Sequence, residues 1–198
     1  MIYRYIFGFS WHGRHSAMLD NYSWPTTEYR NSLSDLKDFE QLLSSDLGRV
    51  DLTDEVDALG KYLIIRSCGH IEIASSECVL SFLERHTSKN LDKYIRSTYK
   101  TWASPYANNL SGSLKKIEES ISRDFMAFMS RQQSSNGEKN SDTLKQLVDA
   151  RNRIAHGKST VKTQKDSLVY STFAEELGRW YEEYFKPGGC ADKLFGSD

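Results

Sequence analysis

Residues 149–157 read Asp-Ala-Arg-Asn-Arg-Ile-Ala-His-Gly, so that Arg151, Asn152 and His156 place a cation, an amide and an imidazole in one short segment. These residue types suit phosphodiester cleavage in RNA. An imidazole takes or gives a proton near neutral pH, and a guanidinium grips phosphate oxygens as charge builds on them. With the ribose 2′-OH as nucleophile the chemistry requires no metal, and neither a metal nor another cofactor is expected.

The segment must be held by a helix. Leu144, Leu147, Val148, Ile154 and Ala155 form an apolar side, predicting an amphipathic helix from about Ser141 that Gly157 stops. At 3.6 residues per turn Asn152 and His156, four apart, share a face, whereas Arg151 and His156 diverge by roughly 140°. A long Arg side chain, or unwinding just before Gly157, is needed for the two to cooperate. The plain alternative is structural: a His at a helix C-terminus is favoured by the macrodipole, and Arg151 pairs with Asp149 or with a carboxylate on a neighbouring helix.

The rest of the chain reads as further helices, with strand signals nearly missing after the N-terminus. Tyr29, Leu33, Leu36, Leu43 and Leu47 predict a first helix ending near Gly48. A long second helix is expected over 51–84, with Thr53 as N-cap and with close packing against a neighbouring backbone at Gly60 and Gly69. A third is expected over 88–102, stopped by Ser104-Pro105. Leu110, Leu114, Ile117, Ile121, Phe125 and Phe128 predict a fourth, followed by a polar loop over 132–140. After the motif helix, Asp166 is expected to cap a last helix that runs to Pro187-Gly188-Gly189. The fold class is therefore all-α, a bundle of about five to six helices. Its expected organisation is an extension over 1–26, a helical domain over 27–186 and a tail over 187–198.

Arg66 and Glu72 are charged residues in the middle of the long apolar helix, and each calls for a partner. They are six apart, roughly 120° round the helix, so they do not simply pair with one another. The extension carries Tyr3, Tyr5, Phe7, Phe9, Trp11, Tyr22 and Trp24. It is expected to dock on the bundle, the alternative being stacking on bases beside Arg14.

At 198 residues with 27% charged and 38% apolar residues, the chain is long enough for a sizeable core and shows no sign of extended disorder. It has no run of 18 or more apolar residues, so no membrane span is expected. Three cysteines, with Cys68 and Cys78 roughly 15 Å apart along one helix, make no disulfide framework, and a reducing, cytoplasmic setting is expected. His70, His86 and the His12/His15 pair lack further ligands, so a metal site is not expected. The net charge of −1 argues against a general nucleic-acid coat. Around the motif, however, Lys145, Arg151, Arg153, Lys158, Lys162 and Lys165 face Asp149 alone between positions 145 and 165. This basic island is a sensible phosphate-binding surface, the alternative being a solvated basic loop. Arg153, Lys158, Lys162, Lys165 and Arg66 are the candidate RNA-binding residues.

Internal attack on an RNA phosphodiester needs a base for the 2′-OH and an acid for the 5′ leaving oxygen. The motif holds one imidazole. A two-fold interface that joins two copies of it supplies two, so a homodimer is expected.

Residues 147–157 resemble the signature of the HEPN superfamily, whose ribonuclease members carry Arg-x4–6-His with a polar residue, often Asn, straight after the Arg. Residues 63–72 resemble the long second helix of prokaryotic HEPN families, where an Arg is followed about a turn and a half later by a Glu. Ser104-Pro105-Tyr106-Ala107-Asn108-Asn109-Leu110 resembles the Pro/Asn-rich break before their next helix. The likeness spans roughly 27–185 and is absent from the first 25 residues. It implies an HEPN-like bundle in which the second helix packs near the motif helix and Glu72 orients His156 or Arg151. It further implies a metal-independent endoribonuclease with a composite homodimer site, leaving a 2′,3′-cyclic phosphate and a 5′-hydroxyl. In it Arg151 stabilises phosphate charge, His156 transfers protons and Asn152 positions either the His or the substrate. A small antitoxin or another defence-system protein is the implied partner besides RNA. The alternative is a non-catalytic dimerisation or nucleotide- or RNA-binding module.

Overall fold

The computed structural model describes residues 24–46, 53–87, 91, 105–133, 137–158 and 164–195. Among them are seven helices: α1 (Thr27–Asp46), α2 (Thr53–His86), α3 (Ala107–Lys115), α4 (Glu119–Met129), α5 (Asn140–Ala155), α6 (Gln164–Phe185) and α7 (Cys190–Phe195). No strand is present among the described residues, only an isolated bridge between Gln132 and Lys139. The all-α expectation holds.

Three helices form the frame. Thr26 Oγ1 accepts from the Tyr29 N–H at 3.2 Å and so caps α1. Contacts from Ser32 to His70, Asp35 to Arg66 and Phe39 to Tyr62 run in opposite senses along the two chains, so α1 lies antiparallel to α2. α6 runs parallel to α2, because Ser167 lies against Gly60, Gly178 against His70 and the Phe185 carbonyl against Arg85. Between these helices Leu36, Leu43, Leu63, Ile71, Phe82, Phe173, Leu177 and Tyr181 are fully buried. Each such aliphatic or aromatic side chain contributes roughly 1.5–3 kcal/mol on burial.

Glycine permits the closest approach between helices at one point above all. A Cβ on Gly178 would stand 2.6 Å from His70 Nε2, so α6 meets the imidazole with no side chain between. Gly60 is closely approached by a side chain: its Cβ would lie 3.0 Å from Ser167 Oγ, with the nearest neighbouring backbone atom, Gln164 Cα, at 3.8 Å. At Gly69 no described residue lies within 4 Å of its would-be Cβ.

The predicted fourth helix is two. Lys116, Ile117 and Glu118 turn the chain, with the Ile117 and Glu118 N–H groups donating to the Leu114 carbonyl at 3.0 and 3.1 Å and with Glu118 extended at φ −159°. The apolar spacing runs unbroken through this turn, so periodicity does not reveal it. The break lets α3 and α4 pack on one another, where Ser111 and Ser122 share a hydrogen bond of 2.8 Å. Asp166 lies in the first turn of α6 and does not precede the helix as a cap, since α6 begins at Gln164. The expected tail contains α7, tied back by Asp192, which pairs with Arg85 at 3.3 Å and accepts from the Gly188 N–H at 2.6 Å.

Of the aromatic extension, Trp24 packs against the core with the Arg85 guanidinium 5.3 Å over its ring. Residues 1–23, and the helix expected over 88–102 apart from Leu91, lie outside the described residues. Among the described residues no helix is long and apolar enough to cross a membrane.

Candidate active site

The motif helix α5 starts where Asn140 is buried and its Nδ2 donates to the Phe128 carbonyl at 2.9 Å, joining it to the end of α4. Leu144, Leu147 and Val148 are fully buried and anchor the helix against the bundle. Ile154 is half-buried, whereas Ala155, expected on the apolar side, is exposed. α5 ends with the His156 N–H bonded to Asn152 O at 3.1 Å, Gly157 N–H to Ile154 O at 3.0 Å and Lys158 N–H to Arg153 O at 2.8 Å. This is the Schellman arrangement, and Gly157 takes the left-handed conformation it demands, at φ +66°. His156 is the last half-helical residue, at φ −92° and ψ 13°. Its exposed imidazole makes no side-chain hydrogen bond with the described residues.

Arg151 is held from two sides. Its Nη1 donates to Asn152 Oδ1 at 3.1 Å, and its Nη2 lies 3.7 Å from Glu72 Oε1 on α2. Of the two partners expected for Glu72, it is Arg151 that the structure brings to it. Both side chains are more than a third exposed, 36% and 39%, so the pair contributes below about 1 kcal/mol to stability. Its consequence is geometric: it sets where the guanidinium points. Cys68 lies beneath, its thiol pushed up to about 12 by burial first and then by the Glu72 charge, against the opposing pull of Arg151. It is therefore a protonated packing group and not a nucleophile.

Asp149 does not take Arg151. It accepts instead from the Tyr106 hydroxyl at 2.7 Å, and the same phenol oxygen accepts from Asn152 Nδ2 at 3.4 Å. The hydrogen bond to Asp149 is the first cause that holds the Tyr106 phenol above its usual range, followed by desolvation, so it remains a donor at neutral pH. Sequence reasoning does not find Tyr106 as a site residue. The one signal is its place in the Pro/Asn-rich break, directly before α3.

The remaining candidates divide. Arg66 pairs with Asp35 on α1 and is not brought to Arg151. Arg153 and Lys158 are exposed at the end of α5, beside the motif, and Lys165 is exposed in the first turn of α6. Lys162 lies outside the described residues. Among those residues there is no group of three or more His, Cys, Asp or Glu side chains arranged to hold a metal ion.

No curated protein and no solved structure matches the chain. The family model RiboL-PSP-HEPN matches residues 26–186. That match takes in α1 to α6, the paired Glu72 and Arg151, and His156. HEPN domains are often ribonucleases, so the match carries an RNA-related, nuclease-like class of function. The chain belongs to the RiboL-PSP-HEPN family of the HEPN superfamily.

Proposed function

We propose that the chain is a metal-independent endoribonuclease acting in the cytoplasm, with a composite site at a homodimer interface. The observation that carries this reading is the held guanidinium: Arg151 is fixed by Asn152 and Glu72 at the end of α5, where His156 is exposed. Glu72 and Asn152 occupy only part of its five-donor fork, leaving N–H groups for phosphate oxygens. In the reaction the 2′-oxygen attacks the adjacent phosphorus as one imidazole takes its proton. Negative charge accumulates on the non-bridging oxygens and is met by Arg151. The bond to the 5′-oxygen breaks as a second imidazole donates a proton, leaving a 2′,3′-cyclic phosphate and a 5′-hydroxyl. One chain brings one His156 to its motif, and the second imidazole comes from the partner copy. Arg153, Lys158, Lys162 and Lys165 bind the flanking phosphates. A regulating antitoxin or defence-system protein completes the setting that the family resemblance implies.

A second reading is supported by the same ion pair. Arg151 bound to Glu72 is also an interhelical tie, and a non-catalytic HEPN module that binds a nucleotide or a partner helix would use it so. Incubation of purified protein with a fluorescent RNA in excess EDTA, followed by end-group analysis, distinguishes the two. The ribonuclease reading expects products with 2′,3′-cyclic phosphate and 5′-hydroxyl ends. RNA that is bound but left intact selects the module.

A further inference from the structure

The hydroxyl of Tyr106 sits where the orientation of the Asn152 amide is decided. Asp149 and Asn152 are three residues apart on α5 and face the same way, with His156 four further on. The Tyr106 ring packs against the core from the chain entering α3, and its oxygen lies 2.7 Å from Asp149 Oδ1 and 3.4 Å from Asn152 Nδ2. Beyond the amide, Asn152 Oδ1 receives Arg151 Nη1 at 3.1 Å.

The chemistry of the four groups allows one assignment. A carboxylate only accepts, so the single phenol proton goes to Asp149, and the phenol oxygen is left to accept from Asn152. A guanidinium only donates, so the amide must turn its oxygen to Arg151. A flipped amide would set NH2 against guanidinium and carbonyl against the phenol lone pair, losing both bonds.

We infer that Tyr106 is a positioning residue of the site: its hydroxyl, oriented by Asp149, fixes the Asn152 amide so that Oδ1 holds Arg151 in the orientation that meets phosphate. The inference rests on the reading of Arg151 and His156 as an RNA-cleaving site. Tyr106 touches no reacting atom and acts through Asn152. Without the hydroxyl only the Arg151 bond itself orients the amide, and the guanidinium's acceptor is held less firmly.

The test is single-turnover cleavage of a fluorescent RNA, at saturating and subsaturating protein, by the full chain and its variants. Tyr106→Phe, which keeps the ring, should lower the saturated rate about ten-fold, as removal of one hydrogen bond predicts, with the half-saturating concentration little changed. Tyr106→Phe should cost nothing further on top of Asn152→Ala, because both act through one amide. Asp149→Ala frees the phenol proton and should reproduce the loss, while Asp149→Asn, which keeps an acceptor oxygen, should restore the rate. This second pair retains Tyr106 packing and decides the matter should Tyr106→Phe fail to fold. In parallel, the Asn152 side-chain amide resonances, identified by their loss in Asn152→Ala, should shift in both Tyr106→Phe and Asp149→Ala. A wild-type chain that cleaves RNA, with Tyr106→Phe and Asp149→Ala cleaving equally well, overturns the inference and leaves the ribonuclease reading standing. A wild-type chain that does not cleave overturns the ribonuclease reading. Unmoved Asn152 amide resonances in the two variants overturn the positioning role irrespective of cleavage.

Discussion

Acidification should weaken the fold through His70. Its side chain is 1% exposed, with Nδ1 3.2 Å from Ser32 Oγ and with no hydrogen-bond partner for Nε2 among the described residues. Burial lowers its pKa from 6.5 to about 4, with the nearby cations Arg66 and Lys37 adding to the effect. Above pH 6.5 both folded and unfolded chains hold a neutral imidazole, and this site imposes no penalty. As pH falls below 6.5 the unfolded chain takes up a proton that the folded chain refuses, so stability drops until the folded chain too is protonated near pH 4. The whole interval corresponds to about 3 kcal/mol, of which about 2 kcal/mol is lost by pH 5. Urea denaturation at pH 7.5, 6 and 5, on the wild type and on His70→Gln, isolates the contribution, because the carboxylates titrate in both proteins. His70→Gln is less stable at pH 7.5 through imperfect packing, but its decline between pH 7.5 and 5 should be smaller by about 2 kcal/mol. Parallel declines in the two proteins would refute the claim that His70 is held neutral by burial.

Gly178→Ala should destabilise the chain by about 1–3 kcal/mol in denaturant titration, since its Cβ would stand 2.6 Å from a buried imidazole; unchanged stability would mean that α2 and α6 separate easily at this point. Replacing Lys158, Lys162 and Lys165 together by Gln should weaken RNA binding across sequences and flatten its salt dependence by about one counterion for each lysine–phosphate pair removed, read by fluorescence anisotropy at several salt concentrations. An unchanged salt slope would move the RNA path away from this loop. Mixing wild-type chain with an excess of an Arg151→Ala/His156→Ala chain should reduce cleavage per wild-type chain. Activity that depends only on the wild-type count would show that each protomer carries a complete site.

The motif helix is legible in the sequence because its determinants are local: Leu144, Leu147 and Val148 give the buried face, and Gly157 supplies the left-handed residue that ends it. The need of Arg66 and Glu72 for partners is legible too, since charges amid apolar helix residues announce themselves. Which partners they take is not, because Asp35 and Arg151 come from other helices, and only the packing brings them close. Tyr106 is invisible for the same reason, being 43 residues from Asp149 and 46 from Asn152. Helical glycines show the limit clearly. Sequence marks Gly60 and Gly69 alike and does not single out Gly178, and only the helix facing each position decides that Gly178 is crowded while Gly69 meets none of the described residues. The turn at 116–118 escapes notice because both helices keep the apolar phase across it. α7 escapes because Pro187-Gly188-Gly189 reads as an end, whereas Asp192 turns it into a bend anchored on Arg85.

Whether Arg151 and His156 carry out RNA cleavage is decided by a single comparison. Cleavage of an end-labelled RNA under single-turnover conditions in excess EDTA is measured for the wild type, His156→Ala and Arg151→Ala, with helix content and oligomeric state checked for each. The wild type should cleave, and each variant should fall by about 10² or more, from removal of proton transfer or of phosphate charge stabilisation. Undiminished cleavage by His156→Ala would overturn the assignment.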